Sequence, residues 1–271
     1  MNDLLRDLAP ISSEAWTAID EEARRTLKTM LAARKLVDFV GPLGWGASAI
    51  SLGRSERLKT DPYKGVEART RRARPVVELR IPFELSRDEL EAVGRGADDP
   101  DLDPVRQAAR AIALAEDKAI FHGLPDADID GIVAASSAAK CMLSEDYTEY
   151  LGVVAEALYK LRNAGVEGPY AIALGPRCYI GLHTTLDGGY PVIEHVRRML
   201  DGPIISAPAL DGAVLMSLRG GDFELTVGQD FSIGYLEHTA ATVRLYLQES
   251  FTFRVLAPEA AVPLVYGKGK K

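Results

Sequence analysis

Residues 38–64 set the tightest limit on what this chain of 271 residues can fold into. Gly41, Pro42, Gly44, Gly46 and Gly53 interrupt any helical or strand period, and Asp61-Pro62 marks a turn. Arg69, Arg71, Arg72 and Arg74 follow, and then a strand pattern over residues 76–83. A stretch so long and so poor in apolar anchors reads as an extended arm, which buries little of itself. Such an arm makes physical sense when it lies on a neighbouring chain. The arginine run suits pairing with acidic neighbours, because the formal net charge is −7 and nucleic-acid binding needs a cationic surface.

Around the arm the periodicity is regular. Trp16, Ile19, Ala23, Leu27, Met30 and Leu31 recur at three- and four-residue steps and predict a helix over residues 13–36, capped by Ser12 or Ser13. Asp103 at the cap, Pro104 at the first helical position and Gly123 past the end bound a second helix, to His122. Further helices are expected over residues 148–164, from Pro176, and over 192–200, with a strand over 170–174. The last third reads as strands over 213–218, 223–227 and 242–248, where Val243, Leu245 and Leu247 alternate with Arg244, Tyr246 and Gln248. Residues 266–271 read as a flexible basic tail. The order of parts is that of an α+β protein.

Motifs that carry chemistry are missing. There is no GxSxG, HExxH, P-loop or GxGxxG pattern. Gly94-Arg95-Gly96 lacks a third glycine and reads as a polar turn. Cys141 and Cys178 have no CxxC spacing and read as free thiols. Glu116 and Asp117 point about 100° apart on a helix, so they suit salt bridges or solvent better than a shared catalytic site. His183 and His195 flank Gly188-Gly189 and read as surface residues. Residues 1–7 lack a secretory signal pattern, and no run of about 18 apolar residues exists. A cytoplasmic protein is expected, with no catalytic or metal site, no cofactor, and neither nucleic acid nor membrane as partner.

Several segments together resemble the family 1 encapsulin shell proteins, also known as linocin M18-type bacteriocins. They are Arg219-Gly220-Gly221-Asp222-Phe223, Gly228-Gln229-Asp230-Phe231-Ser232-Ile233-Gly234-Tyr235, Val243-Arg244-Leu245-Tyr246 and Glu249-Ser250-Phe251-Thr252-Phe253. Matches elsewhere include Leu8-Ala9-Pro10, Gly41-Pro42-Leu43-Gly44-Trp45, Ile120-Phe121-His122-Gly123 and Gly189-Tyr190-Pro191. The resemblance implies the HK97 bacteriophage capsid fold. Residues 1–47 would hold the N-terminal helix and the start of the peripheral domain, 48–74 the extended loop, 75–142 the rest of that domain with its spine helix, 143–209 the axial domain, and 210–265 the peripheral sheet.

The resemblance also implies a homo-oligomer, a closed icosahedral shell of the smallest, T=1, sixty-subunit kind. Such a shell encloses a cargo enzyme, a ferritin-like iron-storage protein or a dye-decolorising peroxidase, held by its C-terminal targeting peptide. Leu27, Leu31, Arg34 and Asp38 would line one side of the peptide site, and Asp230, Phe231, Ile233 and Tyr235 the other. Leu186, Asp187, Gly188, Gly189 and Tyr190 would form a fivefold pore. Flavin is not carried over, because Arg87-Asp88 stands where an aromatic residue would be needed. Asn2 and Asn163 lie outside the arm, so no lysine–asparagine crosslink is expected. The other readings are a linocin-type bacteriocin or protease, and a phage capsid subunit.

Overall fold

The computed structural model describes residues 4–267. Its first long element is helix α1, Ser13–Met30, capped by the Ser12 hydroxyl, which accepts from the Ala15 N–H at 3.2 Å. The apolar period runs on to Leu36, yet the helix does not. Asp117, 85 residues away, takes the N–H of Ala32 and of Ala33 at 2.9 Å each, so those donors cannot continue the helical ladder. The chain turns instead through a 3-10 segment, Ala33–Lys35.

Next come β1 (Asp38–Val40) and an antiparallel ribbon of β2 (Ala49–Arg57) and β3 (Arg69–Pro75), exposed along its strands except at Ile50, Leu52 and Arg74. After β4 (Val77–Ser86), a helix that the sequence pattern did not suggest, α2 (Arg87–Gly94), leads to the long helix α3 (Asp103–His122). Asp103 sits in its first turn; Leu102 holds the cap position without a side-chain bond. The middle of the chain runs β5 (Gly123–Leu124), β6 (Ile129–Asp130), α4 (Ile132–Ala135), β7 (Cys141–Leu143), α5 (Tyr150–Asn163) and β8 (Tyr170–Leu174). It continues with α6 (Pro176–Thr184), β9 (Leu186–Asp187), β10 (Tyr190–Pro191), α7 (Val192–Met199) and β11 (Ile204–Ser206). The last elements are β12 (Ala213–Ser217), β13 (Phe223–Val227), β14 (Ser232–His238), β15 (Thr242–Val255) and β16 (Ala261–Tyr266). Of the tail, Lys268 to Lys271 lie outside the described residues.

Two sheets organise these elements. In the first, β15 is the shared strand: β4 pairs with one edge over Thr242–Phe251, while β14 and then β13 share the other, and parallel β1 extends β13. The second sheet has the order β11-β8-β12-β16-β7. Helix α3 serves both. Val105, Ala108, Ala109, Ile112 and Ala113 pack with Ile19 and Leu27 of α1 and with Leu85, Val243 and Leu245 of the first sheet. Further along the same helix, Ala119, Ile120 and Phe121 join the core around the second sheet, with Ile172, Leu215, Val262, Phe251 and Phe253. Both cysteines are buried.

Glu116 and Asp117 fall on α3 between these two cores, both fully buried. Burial pushes the Asp117 carboxyl up to about 7, against the pull of the Ala33 and Ala32 N–H groups. An unfolded aspartate titrates near about 4, so the folded chain holds this proton more tightly. Its stabilising contribution is therefore whole below about pH 4 and lost as the pH rises through about 7. Asp117→Asn keeps an acceptor for Ala32 and Ala33, and calorimetry should show its stability changing less than the parent's between about pH 5 and about pH 8. Parallel pH profiles would count against the buried titration.

Candidate functional site

Arg34, in the turn after α1, is the most heavily partnered side chain near the groove described below. Its Nε and Nη2 donate to Glu116 Oε2 at 2.9 and 2.6 Å, Nη2 also to Glu249 at 3.0 Å, and Nη1 to Asp230 at 2.8 Å. Such a bidentate fork is a geometry that lysine cannot supply. The guanidinium lies 4.6 Å from the Phe231 ring centroid and 5.3 Å from that of Phe39. Burial opposes its charge, but Glu116, Glu249 and Asp230 outweigh that and raise its pKa.

Three carboxylates share one cation here; Glu116 and Glu249 are fully buried, while Asp230 is 45% exposed. Burial first, and then the neighbouring Glu116, pushes the Glu249 carboxyl well above the ordinary carboxylate range, while Arg34 pulls it down. Its Oε1 has no hydrogen-bond partner among the described residues.

Above this cluster, a groove of about 500 Å³ separates α1 from β14. Asp20, Ala23, Arg24, Leu27, Lys28 and Leu31 recur at helical spacing on the groove side of α1. Arg34, Asp230, Phe231, Ser232 and Ile233 complete the opposite side and the floor. Six of the eight residues selected from the sequence therefore meet here: Leu27, Leu31, Arg34, Asp230, Phe231 and Ile233. Asp38 does not. It opens β1, and its carboxylate accepts from the Gly221 N–H at 2.6 Å, holding the turn before β13. Tyr235 is beside the groove rather than in it; its N–H donates to the Leu4 carbonyl at 2.8 Å, and its hydroxyl meets His238.

The wall also contains residues that the sequence reading missed. Asp20, Arg24 and Lys28 share the period of Leu27 and Leu31, and that period was the signal available for them. Leu4 and Arg6 carried no such signal. Arg6 closes one end by pairing with Asp20 at 2.8 Å and lying 3.8 Å from the Trp16 ring centroid.

The segment Leu186–Tyr190 forms a tight hairpin of β9 and β10. Gly188 (φ 58) and Gly189 (φ 85) make its two-residue turn, whose doubly positive φ matches the twist of paired strands. Leu186 and Tyr190 are exposed at its sides. His195 contacts the Asp187 carbonyl at 3.1 Å and meets the Tyr190 ring edge-on, while His183 bonds the Tyr179 carbonyl; the two histidines do not converge. Among the described residues, no group of three His, Cys, Asp or Glu side chains is placed to hold a metal ion. A larger cavity of about 630 Å³ lies at the start of α6, beside β16, and none of the selected residues line it. Its His122 and Arg177 are engaged with Ala209 and Glu145.

A two-sheet body on a shared long helix, with an exposed ribbon, is the architecture of shell-forming capsid subunits of the HK97 type. A virus-like particle subunit from Pyrococcus furiosus superposes with a TM-score of 0.65 at 18% identity, over 92% of this chain and 98% of that one. A capsid subunit of an empty GTA particle gives 0.52 at 13% identity, over 88% and 96%. At the sequence level, the family model described as "Encapsulating protein for peroxidase" (Linocin_M18) matches residues 1–252. The type 1 encapsulin shell protein of Rhodospirillum rubrum is 58% identical over 270 residues, 97% of this chain and 96% of its own. That of Mycobacterium tuberculosis is 47% identical, over 97% and 99%. The chain belongs to the type 1 encapsulin shell protein family.

Removing Arg34 leaves Glu116 and Glu249 buried without their counter-charge. Arg34→Met should cost about 3–5 kcal/mol in denaturant unfolding. A loss under about 1 kcal/mol would mean that the carboxyl groups discharge their repulsion by protonation alone.

Proposed function

We propose that this chain is a structural subunit that closes into an icosahedral T=1 shell in the cytoplasm and encloses an enzyme, the chemistry residing in the cargo. The observation that carries the cargo reading is the groove between α1 and β14. Its walls present Leu27, Leu31, Phe231 and Ile233 for aliphatic anchors, and Asp20, Arg24, Lys28 and Asp230 around them to fix the register of a bound peptide. The occupant is the C-terminal targeting peptide of a ferritin-like iron-storage protein or of a dye-decolorising peroxidase; the match to a family of encapsulating proteins for peroxidase supports the second. Iron storage or protection from oxidative stress would follow from that cargo.

In this reading residues 48–74, which hold all of the exposed ribbon but Pro75, are the extended loop. Residues 143–209 form the axial domain, and the Leu186–Tyr190 hairpin faces the fivefold opening. Asp187 there would favour cations over anions.

Electron microscopy of the chain expressed alone tests the shell: uniform empty particles are expected, and isolated monomers would overturn it. Phe231→Asp tests the groove. Phe231 is half-buried at the groove wall, so particles should persist. Loading of a fluorescent protein carrying the C-terminal segment of a co-encoded ferritin-like protein or peroxidase should fall at least about tenfold. Full loading of that variant would rule out the groove as the peptide site.

A further inference from the structure

The groove between α1 and β14 has charge to spare, and the surplus is positive. Arg6, Arg24, Lys28 and Arg34 line it, against the carboxylates of Asp20 and Asp230. Asp20 is taken by Arg6, and Asp230 by Arg34, which also serves the buried Glu116 and Glu249. Arg24 and Lys28 are left. Both are exposed, and neither has an ion pair among the described residues. The chain as a whole carries −7, so a doubly cationic rim runs against its average.

Helix α1 sorts its charges to produce this rim. Glu21, Glu22 and Arg25 line a separate hollow with Asp98, Asp99 and Arg106, where Glu22 takes up both Arg25 and Arg106. On the groove side, Arg24 and Lys28 interleave with the apolar Leu27 and Leu31. Four residues of helix rise about 6 Å, and two residues of extended chain rise about 6.6 Å. An extended peptide lying along α1 therefore presents residues i and i+2 to the two cations in register. Its alternate row, pointing the opposite way, reaches the apolar surface of Leu27, Leu31, Phe231 and Ile233.

We infer that the groove selects peptides in which aliphatic residues alternate with acidic ones, two carboxylates seating at Arg24 and Lys28, a preference that rests on the groove being the peptide site. A basic residue in the same row meets like charge, so the rim discriminates by repulsion as well as by attraction.

Three fluorescent-protein fusions test this, with C-terminal tails Leu-Xaa-Ile-Xaa-Leu in which Xaa is Glu, Gln or Lys, each co-expressed with the full chain. Fluorescence per purified particle should fall at least about tenfold from the Glu tail to the Lys tail, with the Gln tail between them. The double variant Arg24→Glu, Lys28→Glu should reverse that order, and Arg24→Gln, Lys28→Gln should level it; both side chains are exposed, so particles should form in each case. Equal loading of the three tails by wild type, or an unchanged order in the two variants, overturns the acidic preference. Failure of the groove itself gives a different result: wild type loads no tail above the tail-less fluorescent protein, or Phe231→Asp loads the Glu tail as fully as wild type does. Either outcome removes the peptide site and the preference with it.

Discussion

The fold hangs on one buried ion cluster at the boundary between two apolar cores. Leu31 packs with the first core and Ala32 with the second; along α3 the change falls between Ala113 and Ala119, and along β15 between Leu247 and Phe251. Arg34, Glu116, Asp117 and Glu249 occupy that boundary. A surface ion pair would contribute little. This cluster is different, because each member sits where an unpaired charge would be expensive, and so it fixes where the N-terminal turn, the long helix and the central strand cross.

The same cluster shapes the groove. Asp230 accepts from Arg34 and from the Phe231 N–H, so the guanidinium sets the entry to β14, and the Phe231 ring lies against it. The groove is therefore a continuation of the packing that joins the two halves of the subunit. Substitutions at its floor act on stability as well as on whatever occupies it, whereas those on its α1 rim, at Arg24 or Lys28, act on the rim alone.

Local signals were readable where a single element decided the outcome. Ser12 as a cap, the alanine-rich face of α3, the short strand over 170–174 and the ribbon's lack of apolar anchors all follow from neighbouring residues. What escaped depends on distance along the chain. The end of α1 is set by Asp117, and Arg34 finds partners 82 and 215 residues away. The alternation read over residues 243–248 describes a half-buried strand, but Leu245 to Phe253 of β15 are all buried, so Tyr246 and Gln248 are covered like Leu245 and Leu247. Of the groove, the apolar pairs Leu27–Leu31 and Phe231–Ile233 were legible through resemblance. Leu4 and Arg6 were not, since nothing in their spacing links them to β14. Asp38 has a local partner, the Gly221 N–H, that no linear pattern announces.

A protein that must meet copies of itself has to meet them in one way only, and an open sheet margin is the cheapest wrong way. Here each margin of the two large sheets is blunted. β1, β7 and β11 are only three residues long. β4 is longer, but Pro82 removes a donor within it and Glu78, Arg80 and Glu84 alternate along it. β14 takes the Leu4 carbonyl on the Tyr235 N–H and shifts register between Tyr235 and Glu237. Stray strand-on-strand stacking, the route by which concentrated β-rich chains become fibres, thus has no long, flat margin to start from on either sheet.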